Sequence, residues 1–188
     1  MADSSDTVQP VSDEELEKGH LYAVLIYRGE LASWNWSFFI PDPSVSPIGT
    51  SGTMFHVVRE VEDSRNFWKL VTEKREVLTS PLVVAVIRLA DVSFLGEYND
   101  LIAPDCLPGM FHQAEDAAGG LANNPDFSSR TWFLDVVDVL NDIGVVTCDD
   151  RSNLEREIRR SAFAAMDKYL QNKGVCTRFV LVRVAPAI

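Results

Sequence analysis

Ser129 and His56 are the pair in this sequence that could carry nucleophilic chemistry, because a serine hydroxyl attacks only when a base such as imidazole takes its proton. They are the candidate catalytic residues. Asn35, Trp36 and Ser37, in the stretch SWNWSFF at 33–39, and Trp132, in SSRTW at 128–132, form the candidate ligand-binding set. An amide and a hydroxyl beside indole surfaces can orient a small molecule or peptide without moving a proton. His20 and His112 have no acidic or thiol partner at ligand spacing, and no CxxC or HxxxH occurs, so no metal and no cofactor are expected. The Gly pair at 119–120 lacks the Lys-Ser/Thr ending of a phosphate loop.

Each candidate has a plainer reading. In an alternating strand, Trp34, Trp36, Phe38 and Ile40 share one face while Asn35, Ser37 and Phe39 share the other, so Asn35 and Ser37 could simply meet water. His56 falls on the face of Met54 and Val58, where a lone histidine is more often a hydrogen-bonded structural residue than a base. Ser129, like Ser128, precedes an apolar-periodic run and reads as a helix N-cap, a role worth about 1 kcal/mol. Trp132 sits on the core stripe of that helix. Trp34, Trp36 and Trp68 are more indole than one small core needs, and an exposed tryptophan face would serve a ligand groove or a protein partner.

The elements that must position these residues follow from periodicity. HLYAVLIYR (20–28), WNWSFFIP (34–41), TMFHVVRE (53–60), FWKLVTEKRE (67–76) and VVAVIRLADV (83–92) read as strands, the last apolar enough to be covered on both faces. Their short spacing predicts an antiparallel meander. Residues 97–103 read as a short helix ended by Pro104, and 113–126 as a connection of poor core character. A helix over 128–144 carries Trp132, Val136, Leu140 and Ile143 inward and stops at Gly144. A second, over 152–174, carries Leu154, Ile158, Ala162, Ala165 and Leu170 and stops at Gly174. TRFVLVRVA (177–185) could rejoin the sheet. The expectation is an α+β fold: a mainly antiparallel sheet of about five to six strands with two longer helices packed on one side. Residues 1–18 read as a flexible acidic arm and 19–188 as a single domain.

With 188 residues, 46% hydrophobic, the chain can bury one substantial core. Its net charge of −11 argues against nucleic acid and against anionic membrane surfaces. No secretory signal is visible, the longest apolar run is too short to span a bilayer, and three scattered cysteines suit a reducing compartment, so a cytoplasmic location is expected.

The series strand–W-x-x-F-I-P–loop–G-T-M-F-H-V, followed at a distance by S-R-T-W opening a long amphipathic helix that ends in G-V-V, resembles a large group of small fungal proteins. Their layout is similar to the circularly permuted papain-like fold of the NlpC type, shared with the lecithin:retinol acyltransferase family. The resemblance spans roughly residues 20–170. It implies a thiolate at a helix N-terminus and an imidazole on the neighbouring strand, carried by His-Trp and Cys-x-x-Trp motifs. Here the histidine slot holds Asn35 and the cysteine slot holds Ser129, so both members of the dyad are missing. Asparagine exchanges no proton near neutral pH, and a serine without a base is a poor nucleophile.

Three functions are therefore expected in order. The first is a non-catalytic or catalytically altered papain-like protein binding a small hydrophobic metabolite or peptide in the old cleft. The second is a secondary-metabolism enzyme of isomerase, cyclase or dehydratase type using Asn35, His56 and Ser129. The third is an interaction module with an exposed tryptophan face, including a possible homodimer.

Overall fold

The computed structural model describes residues 9–10, 15–62, 65–117, 126–171 and 177–180. In chain order they form strands β1 (Gln9–Pro10), β2 (His20–Tyr27), β3 (Trp34–Pro41), β4 (Ser51–Glu62), β5 (Arg65–Glu76) and β6 (Val83–Asp91), helices α1 (Tyr98–Leu101), α2 (Leu107–Ala117), α3 (Ser129–Asp142) and α4 (Arg151–Gln171), and strand β7 (Thr177–Val180). The fold is α+β. Five antiparallel strands, β2 to β6, make the body of the sheet; β7 joins beside β6 in parallel and the two-residue β1 pairs with β7.

The order β1-β7-β6-β2-β3-β4-β5 corrects the simple meander. Strands β2 to β5 do follow one another, but β6 crosses back to pair with β2 instead of β5. The composition of the two strands gives the reason. Val83–Ile87 is buried throughout and needs cover on both faces, which only an interior position supplies. β5 carries Lys69, Glu73, Lys74, Arg75 and Glu76, charges that suit an edge and discourage pairing with another chain. Gly52, on β4, permits the tight β3–β4 approach: a Cβ there would lie 2.2 Å from the Ile40 carbonyl oxygen.

The helices pack on one side of the sheet. Three of them matter, since α2 occupies residues read in part as a poor connection. Leu107 and Phe111 are fully buried one turn apart, and Pro108 stands in the first turn, where its missing N–H breaks no helical bond. Residues 118–125 of the expected connection, the helix stop at Gly174 and the tail 181–185 lie outside the described residues. On α3 the inward set is Trp132, Phe133, Val136, Val137 and Leu140; Ile143, expected inward, is the exposed C-cap. On α4 the inward set ends on Tyr169 instead of Leu170, because 169 is seven residues from Ala162 and returns to the same face. Arg151 clamps the start of α4 to α3 through Asp135 at 2.8 Å and Asp138 at 2.5 Å.

Alternation along β3 divides the interior as expected. Trp34, Trp36, Phe38 and Ile40 join the larger core beneath the helices, and Phe39 joins a smaller cluster with Tyr22, Val24, Met54 and Val86 on the opposite face. Phe38 is the centre of the larger core. It stacks on Phe133 at 4.2 Å and on Phe111 at 5.0 Å, and meets Trp132 edge-on at 5.6 Å. The exposed tryptophan face is corrected: Trp34 is 5% and Trp36 2% exposed, and Trp68 is half-buried against Phe127. Leu16, placed in the flexible arm, is buried against Gly49, and its N–H donates to the Ile48 carbonyl at 2.8 Å. Within the expected arm, Leu16 is thus docked and Gln9–Pro10 pair with β7, while 1–8 and 11–14 lie outside the described residues.

Candidate functional site

Ser128, not Ser129, caps α3. Its hydroxyl accepts from the Thr131 N–H at 3.2 Å, and its own N–H donates to Thr131 Oγ1 at 2.8 Å, a reciprocal capping box. Ser129 is thereby left to face the sheet, where it is buried. The β3–β4 ladder runs from Pro41–Gly52 to Phe38–Phe55 and stops, because β4 peels away before it reaches Trp36. Ser129 Oγ meets that gap and accepts from the Trp36 N–H at 3.2 Å. A buried N–H without an acceptor costs about 1–3 kcal/mol, so the hydroxyl completes the strand where its neighbour has left. The helix N-terminus and the Trp-Asn-Trp strand, 93 positions apart, therefore do meet.

The remaining candidates are not drawn into that contact. Asn35 points to the other face of β3 and is exposed. Ser37, on Asn35's face, is fully buried and donates to the Val24 carbonyl at 2.9 Å. Trp36 packs on Phe133 at 5.3 Å, and Trp132 is 1% exposed between Phe38 and Phe111. Among the described residues the buried indole N–H groups of Trp34 and Trp132 have no hydrogen-bond acceptor.

His56 belongs to the opposite face of the sheet from α3. Phe55 and Val57 point into the core beneath the helices, so His56 between them points away with Met54. Its Nε2 lies 2.8 Å from Glu73 Oε1, which also receives the Arg75 Nε at 2.8 Å. Burial pushes the Glu73 carboxyl up, but the bonds from Arg75 and His56 outweigh it and hold the group below its ordinary range. His56 and Ser129 are thus separated by the sheet. No imidazole is bonded to Ser129.

A different set of side chains surrounds real space. A cavity of about 230 Å³ opens where the start of β2, the ends of β3 and β6, and α1 converge, lined by His20, Pro41, Asp91, Glu97, Tyr98 and Leu101 among others. His20 lies opposite Asp91 in the β2–β6 register, and its Nε2 lies 3.5 Å from Oε2 of Glu17, three residues before it, so it has acidic neighbours that the sequence reading did not give it. The Ser93 hydroxyl and N–H bond Asp91 Oδ1 at 2.6 and 2.9 Å and hold its carboxyl below the usual range. The Tyr98 hydroxyl bonds Thr53 Oγ1 at 2.8 Å, so the pocket wall is tied to β4. The sequence signal for this wall is Gly96, whose φ of 136° turns the chain into the Glu97–Asp100 capping box. Among the described residues no three His, Cys, Asp or Glu side chains gather closely enough to hold a metal, and no helix is long and apolar enough to cross a membrane.

Comparison of the chain with protein-family models, with curated proteins and with solved structures returns no match.

Proposed function

We propose that this chain is a non-catalytic binding protein built on a papain-like layout, in which the helix N-terminus and the Asn-Trp strand still meet but the proton relay is gone. The observation that carries this reading is the Ser129 Oγ bond to the Trp36 N–H. It uses the hydroxyl as a structural acceptor in the slot of a nucleophile. The only other catalytic candidate, His56, is engaged by Glu73 across the sheet. An enzyme using Asn35, His56 and Ser129 together would need three groups on one side of a sheet that divides them.

Ser129 is 4% exposed and its hydroxyl is engaged by the Trp36 N–H, which leaves little room for a substrate there. The ligand site therefore moves from the old cleft to the cavity at the other end of β3. Ile40, Pro41 and Leu101 supply an apolar wall and His20, Asp91, Glu97 and Tyr98 a polar one, a combination that fits a small molecule with an apolar body and one polar end.

Two measurements test the two halves of the proposal. A fluorophosphonate probe should leave Ser129 unmodified in the native chain by intact-mass analysis; an adduct on Ser129 would restore the enzyme reading. Purified chain passed through a metabolite extract and desalted should retain a small molecule, and Pro43→Trp, at the exposed rim of the cavity, should abolish its recovery. Equal recovery from the variant would place the ligand elsewhere.

A further inference from the structure

The outward face of α4 carries Ser152, Glu155, Arg156, Arg159, Arg160 and Phe163, residues at i, i+3, i+4, i+7, i+8 and i+11 that line one open groove. The charge there is opposite to that of the chain. Arg130, from α3, reaches Glu155 at 2.7 Å and Arg159 reaches the same carboxylate at 3.4 Å, so one anion is shared by two cations. Arg156 donates to the neutral Asn153 side-chain oxygen at 2.6 Å. Among the described residues neither Arg156 nor Arg160 has a carboxylate within ion-pair distance. Three arginines and one glutamate thus line the groove, and that glutamate is already shared by Arg159 and Arg130, on a chain whose net charge is −11. Phe163 stands at the end of the stripe, 47% exposed, its ring held T-shaped against Trp34 at 5.0 Å.

We infer that this face of α4 is a docking site for an acidic peptide segment of a protein partner, one that carries an apolar side chain to cover Phe163. Charge complementarity selects the occupant. Arginine forks pair bidentately with carboxylates, and two here lack such partners. The stripe spans eleven helical steps, about 16 Å at 1.5 Å per residue, which about five residues of extended chain would match. The held but exposed phenylalanine ring gives such a segment an anchor at one end. The site is independent of the cavity at the Ile40–Pro41 end of β3, so either can fail without the other. Nucleic acid also offers anions and stacking surfaces, but it carries a charge at every nucleotide and meets the repulsion of this acidic chain over a longer span than a short peptide segment does.

The test is fluorescence anisotropy with a fluorescein-labelled peptide of alternating Glu and Asp around one Leu. Binding is expected, weakened when salt rises from about 50 to about 300 mM. Arg156→Glu with Arg160→Glu should reduce affinity by about tenfold or more while leaving far-UV circular dichroism and the thermal midpoint unchanged, since both side chains are exposed. Replacing the peptide's Leu by Gly should also weaken binding. No binding, or equal binding by the charge-reversed chain, would overturn the inference. Tighter binding of a thymidine oligonucleotide of the same length would overturn it in favour of nucleic acid. A dimer seen by light scattering that the charge reversal dissolves would overturn it in favour of a second copy of this chain.

Discussion

The two ends of strand β3 are opposites. At the Trp34–Ser37 end the sequence gathers its ligand-binding candidates, and the structure fills the space there: Trp36 lies against Phe133 and its N–H is capped by Ser129. At the Ile40–Pro41 end the sequence offers no candidate site residue, and the structure leaves about 230 Å³ between polar and apolar walls. Motif-bearing residues here hold a helix to a strand, whereas the open space arises from loops and strand ends whose residues are not periodic. A motif reports that two segments meet. It does not report that anything is left between them.

The largest expected effect lies between the two ends. Phe38→Ala removes the ring that stacks on both Phe111 and Phe133, and should destabilise the chain by about 3–5 kcal/mol in urea denaturation. A loss below about 1 kcal/mol would mean that the aromatic stack is loosely packed and that the closed end could open.

Ser129→Ala should come next. It strands the buried Trp36 N–H and should cost about 1–3 kcal/mol. Ser128→Ala, which removes the cap two bonds away, should cost about 1 kcal/mol. The two serines therefore rank the competing explanations: a larger loss at Ser129 supports a strand-completing role, and an equal or smaller one removes the physical basis for the closed end.

Much of the sheet was legible because alternation is a local signal. The split of β3 into Trp34, Trp36, Phe38 and Ile40 against Asn35, Ser37 and Phe39 needed only a period of two. The place of β6 was not legible as an address, since its apolar run says that it is covered on both faces but not by which neighbours. Helix α2 was missed because the inward residues described on it, Leu107 and Phe111, span one turn, too little for a periodic signal. In the candidate site, no local pattern announces the meeting of Ser129 with the Trp36 N–H, since the two positions lie 93 residues apart. The cavity was invisible because Asp91 faces His20 through register, and Tyr98 reaches Thr53 through tertiary contact. The cost of Ser129 also hangs on where the β3–β4 ladder stops, and nothing in the residues of β4 announces that.

At the open end the expected effects are smaller. Tyr98→Phe deletes one hydroxyl and leaves the buried Thr53 Oγ1 without its partner, so about 1 kcal/mol of stability should be lost. The comparison sharpens if the variant also weakens ligand retention, since Tyr98 lines the cavity. Retention unchanged alongside the expected loss of stability would assign Tyr98 to the scaffold alone.

The smallest effect is a pH dependence at the same end. Asp42 follows Pro41, and its carboxylate accepts from the Ser44 hydroxyl at 2.6 Å and N–H at 3.0 Å and pairs with Lys74 at 3.3 Å. The Ser44 hydroxyl chiefly, then the Ser44 N–H and Lys74, hold its carboxyl below the ordinary 3.8 against the opposing pull of burial. A folded-state value below the unfolded one means that the unfolded chain binds the proton first as pH falls. The contribution is therefore complete above the unfolded value and is lost as pH drops through about 4 toward the folded one. Glu73, depressed on the other face by Arg75 and His56 despite burial, has the same sign. Urea midpoints measured between about pH 6 and pH 3 should fall less steeply for Asp42→Asn than for the parent, because the amide keeps the Ser44 bonds but has no proton to gain. Parallel curves for the two chains would show that the Ser44 and Lys74 contacts do not distinguish carboxylate from carboxylic acid. The rim of the cavity would then be held by loop geometry and not by charge.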